Sequence, residues 1–204
     1  MQSKLLRFLF LAVTLFSAVV TSNARNKYLF VYFTGNDPHQ EQISYAVSDD
    51  GFNYTPLNGG KPVVSSDSIA RTGCVRDPHI LRTKNGEYLM VVTDMRSSLG
   101  WASNRGIVLL KSRDLIHWQH HTVHFPEKYA GKNFANVTRV WAPQTIYDEK
   151  AGKYMVYFSL LTNDGTIPYD RVYWAYANAD FSDLEGEPQV LFDFHAPAID
   201  TDIV

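Results

Sequence analysis

Three observations predict an all-β fold of the propeller type. A phrase of strand-forming residues occurs three times, with starts roughly 60 residues apart. Within each copy Val, Ile, Tyr, Phe and Trp prevail over good helix formers. Turn pairs at Asp50-Gly51, Asn85-Gly86 and Asp164-Gly165 punctuate the copies, as hairpins require. Outside the N-terminal apolar segment, no window keeps a 3.6-residue apolar period long enough for a helix. A β-sandwich also uses short strands and turns, but the long period and repeated phrase favour the propeller.

The first copy runs from Tyr28 (YLFVYF) through Ile43 (ISYAVS) to Asp50 (DGFNYTPL). The second runs from Tyr88 (YLMVVT) through Gly106 (GIVLLKS) to Asp114 (DLIHWQHHTV). The third opens at Tyr154 (YMVYFS), continues at Arg171 (RVYWAYA), and passes Asp180-Phe181 to reach Pro188 (PQVLF). Open blades expose strand edges and apolar faces, so a propeller closes its ring. Three copies are too few for that, and AIDTDIV at Ala198 to Val204 reads as the opening strand of a further one. Residues 25–204 are therefore expected to be the N-terminal part of a propeller domain, from a truncated reading frame or an incomplete domain.

Ahead of the first copy, Lys4 and Arg7 precede an apolar run from Phe8 to Val20, with small residues at Ser22 and Ala24. This pattern predicts a signal peptide over residues 1–24, and hence a secreted or periplasmic protein. The run is shorter than the roughly 20 apolar residues that span a bilayer, so no stable membrane insertion is expected after cleavage. Cys74 is the only cysteine, which excludes an internal disulfide and leaves stability to packing. A net charge of -2 offers no basic face for nucleic acid. A neutral partner such as a sugar is compatible with it.

Breaking a glycosidic bond needs two carboxylates across the scissile bond, one giving a proton to the leaving oxygen and one activating water or attacking carbon. Asp77, in CVRDPHILR, precedes an apolar strand, and Pro78 is expected to hold its backbone extended. Such a side chain could point at a propeller axis, although an isolated Asp-Pro is more often a turn residue. Asp94, Asp37 and His79 are weaker candidates for the rim of a pocket. His117, His120, His121 and His124 resemble a metal cluster in spacing alone, since strand alternation sends neighbours to opposite faces. No metal site is expected from them.

The chain also carries TDM at Thr93 to Met95, SRDLIHW at Ser112 to Trp118, VWAPQTIYDEKAGKYMVYFS at Val140 to Ser159 and AID at Ala198 to Asp200. In order and spacing these resemble glycoside hydrolase family 43, over nearly all of the chain from Tyr28 onward. The resemblance implies a five-bladed β-propeller with an axial pocket, of which about three blades are present, and inverting chemistry by three acidic residues. Asp77 matches the general base and Asp200 the carboxylate that tunes the acid. The general acid, a glutamate on a later blade, has no counterpart here. Trp141 resembles a pocket-lining residue, with Asp94 and His79 as further substrate-binding candidates. An acidic residue often follows the Trp-Ala-Pro motif in the family, whereas Gln144 stands here.

The implied substrate is a plant cell-wall oligosaccharide or polysaccharide that loses a non-reducing-end α-L-arabinofuranosyl or β-D-xylosyl group, arabinose being preferred. No dissociable cofactor is required, and some relatives hold a structural ion on the axis. Two alternatives stand beside this reading. One is a catalytically inactive carbohydrate-binding propeller. The other is a retaining fructan hydrolase of a related propeller family, suggested by GNDPH at Gly35 to His39 with Arg76-Asp77-Pro78.

Overall fold

The computed structural model describes residues 27–163, 165 and 168–203. The expected signal peptide over residues 1–24 lies outside them. The described chain is all-β, with eleven strands in three antiparallel sheets. The first sheet has the order β1 (Tyr28–Tyr32), β2 (Ser44–Ser48), β3 (Thr55–Pro56). The second is β4 (Val75–Arg82), β5 (Tyr88–Asp94), β6 (Gly106–Ser112), β7 (Trp118–His124). The third is β8 (Val137–Asp148), β9 (Lys153–Thr162), β10 (Arg171–Tyr176), β11 (Gln189–Phe192). Every sheet joins consecutive strands, as a meander does. Helix is limited, among the described residues, to short turns such as Ser66–Ile69 and Phe125–Lys128.

The repeated phrase supplies the outer three strands of each sheet. The second and third sheets gain a fourth strand, β4 and β8, which the phrase does not contain. These two edge strands face each other, and β1 also packs on β4. The middle sheet is buried on both faces, and its alternation shows how. Leu89, Val91, Ile107 and Leu109 enter one cluster with Val140, Val156, Phe158 and Leu160 of the third sheet. Their neighbours Met90, Val92, Val108 and Leu110 enter a second cluster with Val31 and Tyr45 of the first sheet. A period-2 apolar strand covered on both sides secures one register, because a one-residue slip would exchange the two cores. Each such side chain contributes on the order of 1.5–3 kcal/mol by leaving water.

The same turn closes the last hairpin of the first two sheets. Asp50 Oδ1 accepts the N–H groups of Phe52 and Asn53 at 2.9 and 2.8 Å, while Ser48 Oγ accepts that of Gly51. Asp114 Oδ1 accepts those of Ile116 and His117 at 2.9 and 2.8 Å, and Ser112 Oγ accepts that of Leu115. In the third sheet Asn178 Oδ1 takes the Asp role, accepting the N–H groups of Ser182 and Asp183. Gly51, Leu115 and Phe181 are left-handed at the corresponding turns. The His117 ring with these main-chain donors holds the Asp114 carboxyl well below the usual carboxylate range, and the Asn53 and Phe52 donors do the same for Asp50.

Candidate active site

Asp77 lies on β4 where its pairing with β5 slips between Arg76 and His79. The slip is a bulge, which leaves residues 77 and 78 without partners on the neighbouring strand. Proline fits such a place because it has no N–H to leave unpaired. Pro78 was expected to hold Asp77 extended, but Asp77 has φ 51° and is left-handed. Asp is among the few residues that visit this region readily, and the bulge turns its side chain off the strand's regular alternation. The arrangement recurs on β8, whose pairing with β9 slips between Trp141 and Gln144. There Ala142, also followed by proline, has φ 48°. Asp200 has φ 56°, so Asp77, Ala142 and Asp200 share one backbone conformation.

The carboxylate of Asp77 accepts a hydrogen bond from Thr93 Oγ1 at Oδ2, 2.8 Å away. Burial pushes its pKa up from the ordinary carboxylate value. The Thr93 hydroxyl, the Arg76 guanidinium and the Ala142 N–H pull it down, while the charge of Asp200 adds to the rise. Asp77 and Asp200 are therefore within electrostatic reach of each other, although Asp200 itself is solvent-exposed. Arg76 is held by Asn36 Oδ1 and Ser97 Oγ, both at 2.9 Å, and by the buried Glu41 carboxylate at 3.4 Å. Its guanidinium sits between the rings of Phe33 and Trp101, at 4.8 and 5.3 Å.

His79 lies two residues further along β4, and its Nδ1 accepts the N–H of Thr145 on β8 at 3.3 Å. Burial lowers its pKa, with the charge of Asp202 opposing. Neutral His79 thus carries its proton on Nε2. Gln144, which departs from the family's acidic residue, accepts a hydrogen bond from Tyr157 Oη at 2.8 Å, and the same hydroxyl lies 3.1 Å from Asp202 Oδ1.

Trp141 is half-buried, with Arg139 over its ring at 5.5 Å and Trp101 against it at 6.3 Å. Arg139 is itself clamped by Asp170 through bonds of 2.8 and 2.6 Å. Sequence reasoning missed Trp101, which is 56% exposed. A lone tryptophan in the polar stretch Ser97 to Asn104 was the available signal.

Asp94 points elsewhere. Its oxygens accept the N–H groups of Arg71 and Thr72 at 3.1 and 2.9 Å and the Thr72 hydroxyl at 2.7 Å. Thr93 and Asp94 are strand neighbours, so one turns to the third sheet and the other away from it. The structure brings Asp77, Asp200 and His79 to one region and directs Asp94 out of it. Asp37 is exposed in a turn with Gln40. Among the described residues no group of three or more His, Cys, Asp or Glu could hold a metal ion, and His120 and His121 lie on the exposed strand β7. A groove of about 880 Å³ between the first two sheets is lined by Leu29, Tyr45, Ile80 and Arg82, and Asp77 does not line it.

An all-β meander that carries a half-buried carboxylate on an edge strand, with a second carboxylate in its field, is compatible with chemistry that works through paired acids, glycoside hydrolysis among it. A family model described as "Probable glycosyl hydrolase domain", of the family 43-related type, matches residues 23–204. The chain belongs to this family. It is 28% identical over 188 residues to an α-L-arabinofuranosidase of Bifidobacterium longum subsp. longum, covering 82% of this chain and 17% of that one. Among solved structures it is similar to a glycosyl hydrolase from Bacteroides ovatus, at 18% identity and TM-score 0.55, covering 84% of this chain and 47% of that one. It is also similar to an exo-β-1,3-galactanase from Phanerochaete chrysosporium, at 13% identity and TM-score 0.53, covering 80% and 36%. The chain thus spans under half of these solved structures and about a sixth of the curated relative.

Proposed function

We propose that this protein is part of an exported, inverting glycosidase that removes terminal α-L-arabinofuranosyl groups from plant oligosaccharide or polysaccharide, with Asp77 as its general base. β-D-xylosyl groups are the second choice of substrate. The observation that carries the reading is the state of the Asp77 carboxyl: half-buried, held at Oδ2 by the Thr93 hydroxyl, and within the field of a second acidic side chain. Burial makes it a stronger base than an exposed aspartate, and its ionised form takes a proton from water as that water attacks the anomeric carbon.

Asp200 serves as the tuning carboxylate, whose negative charge raises the pKa of the proton donor. No residue of this chain is assigned as that donor. Trp101 and Trp141 form an aromatic wall beside Arg76 on which a sugar's apolar face can pack. The three sheets are blades of a five-bladed ring in the whole protein, and the chemistry needs no metal. The identity of 28% to an arabinofuranosidase supports the choice of sugar, while the galactanase likeness, at 13%, supports the fold alone.

The test is hydrolysis of aryl α-L-arabinofuranoside, aryl β-D-xyloside and β-1,3-galactobiose by the protein and by Asp77→Asn. Arabinoside cleavage with inversion that Asp77→Asn abolishes supports the reading. Equal rates for the two proteins overturn the base, and cleavage of galactobiose alone overturns the sugar.

A further inference from the structure

We infer that Thr93 is the positioning residue of the general base, fixing one oxygen of Asp77 so that the other is free to accept the proton of water. The inference rests on the reading of Asp77 as the base. Thr93 is completely buried, and its main chain is paired on both sides, with Arg76 of β4 and Ile107 of β6. It has no freedom to move its side chain by shifting the strand. A hydroxyl has one proton and two lone pairs. The Ala142 N–H donates to Thr93 Oγ1 at 2.9 Å. With that acceptor position taken, the hydroxyl proton is directed to Asp77 Oδ2 at 2.8 Å.

The result is a relay from the third sheet to the second: Ala142 N–H to Thr93 Oγ–H to Asp77 Oδ2. Both ends of the relay are bulged residues in the left-handed conformation, and Thr93 is the regular strand residue between them. Thr93 gives Asp77 its one side-chain hydrogen bond among the described residues, while the Ala142 N–H also acts on the carboxylate from the main chain. A hydrogen bond to a charged acceptor favours the charged form. Thr93 therefore also opposes the effect of burial and keeps Asp77 ionised over a wider pH range.

Three variants test this in the full chain. Thr93→Val keeps the shape and removes the hydroxyl, Thr93→Ser keeps the hydroxyl, and Asp77→Asn identifies the Asp77 signal by its disappearance. Carbon-13 NMR of aspartate carboxyls reads the titration of Asp77 without reference to activity. The midpoint is expected to move to higher pH in Thr93→Val and to stay near wild type in Thr93→Ser. Where arabinoside hydrolysis is measured, Thr93→Val lowers kcat by about ten-fold, the scale of one hydrogen bond to a charged group, with KM nearly unchanged. The acidic limb of its rate profile moves up with the NMR midpoint.

An unmoved midpoint in Thr93→Val overturns the inference, as does a Thr93→Ser protein that titrates like Thr93→Val. If Thr93→Val does not fold, Thr93→Ala carries the same comparison. A wild-type rate in Asp77→Asn would sink the base assignment alone, since the titration still reports whether Thr93 holds Asp77.

Discussion

Asp77 and Asp94 lie at the same end of the β4–β5 pair, the first half-buried and the second buried, and their surroundings differ. Asp94 is 2% exposed and meets two main-chain donors and a hydroxyl, all from the segment that leads into β4. Asp77 meets one hydroxyl, one main-chain N–H and the opposing fields of Arg76 and Asp200. A buried carboxylate that is saturated with donors holds a loop in place. One that is left short of donors stores the desolvation penalty as basicity. Asp94 is of the first kind, and half-buried Asp77 is nearer the second.

The strongest way to break this contrast is at Asp77. In an active protein Asp77→Asn should lower turnover by about 10² to 10⁴, the range for losing one general acid or base, while circular dichroism and the unfolding midpoint show an intact fold. At Asp94 the outcome should be reversed. Asp94→Ala leaves three donors without their acceptor and should cost about 3 kcal/mol in urea unfolding. An Asp94→Ala protein as stable as wild type would remove the contrast.

A smaller effect sharpens it. The folded state raises the pKa of Asp77, so it binds that proton more tightly than the unfolded chain does. Stability from this group is complete below the unfolded value, about 3.9, and is lost as pH rises through the higher folded value. Asp77→Asn should thus be more stable than wild type at neutral pH, with the gap closing below about pH 4. Denaturant unfolding at several pH values reads this directly.

The smallest effect comes from the histidines. Burial lowers the pKa of His79, and burial with the Arg71 charge lowers that of His124. Both then favour the neutral form in the folded state. Stability should fall as pH drops below about 6.5, where the unfolded chain gains protons that the folded one resists. His79→Gln should flatten part of that slope in thermal unfolding.

Much of the fold was legible because its signals are local. The strand phrase and the turn residues Ser48 with Asp50, Ser112 with Asp114, and Asn178 act within a few positions of one another. β4 and β8 were harder to place in the repeat, because bulges and prolines at 77–78 and 142–143 interrupt their alternation. The conformation of Asp77 was misjudged for the same reason: the pre-proline rule describes a free dipeptide, and the bulge outweighs it. Asp94 was offered beside Asp77 on motif alone, although strand parity with Val92 already turned it from Val91 and Thr93. Thr93 had no signal of its own, since its role arises only where Ala142 of another sheet arrives.

Each sheet is drawn from consecutive strands, and this has a consequence for biosynthesis. Pairing within a sheet involves neighbours in the chain, so every meander can form soon after its last strand leaves the ribosome. Docking of β8 against β4 must wait for the third. The Ala142–Thr93 contact belongs to that late event, so a nascent chain has its second sheet assembled before the surroundings of Asp77 are complete.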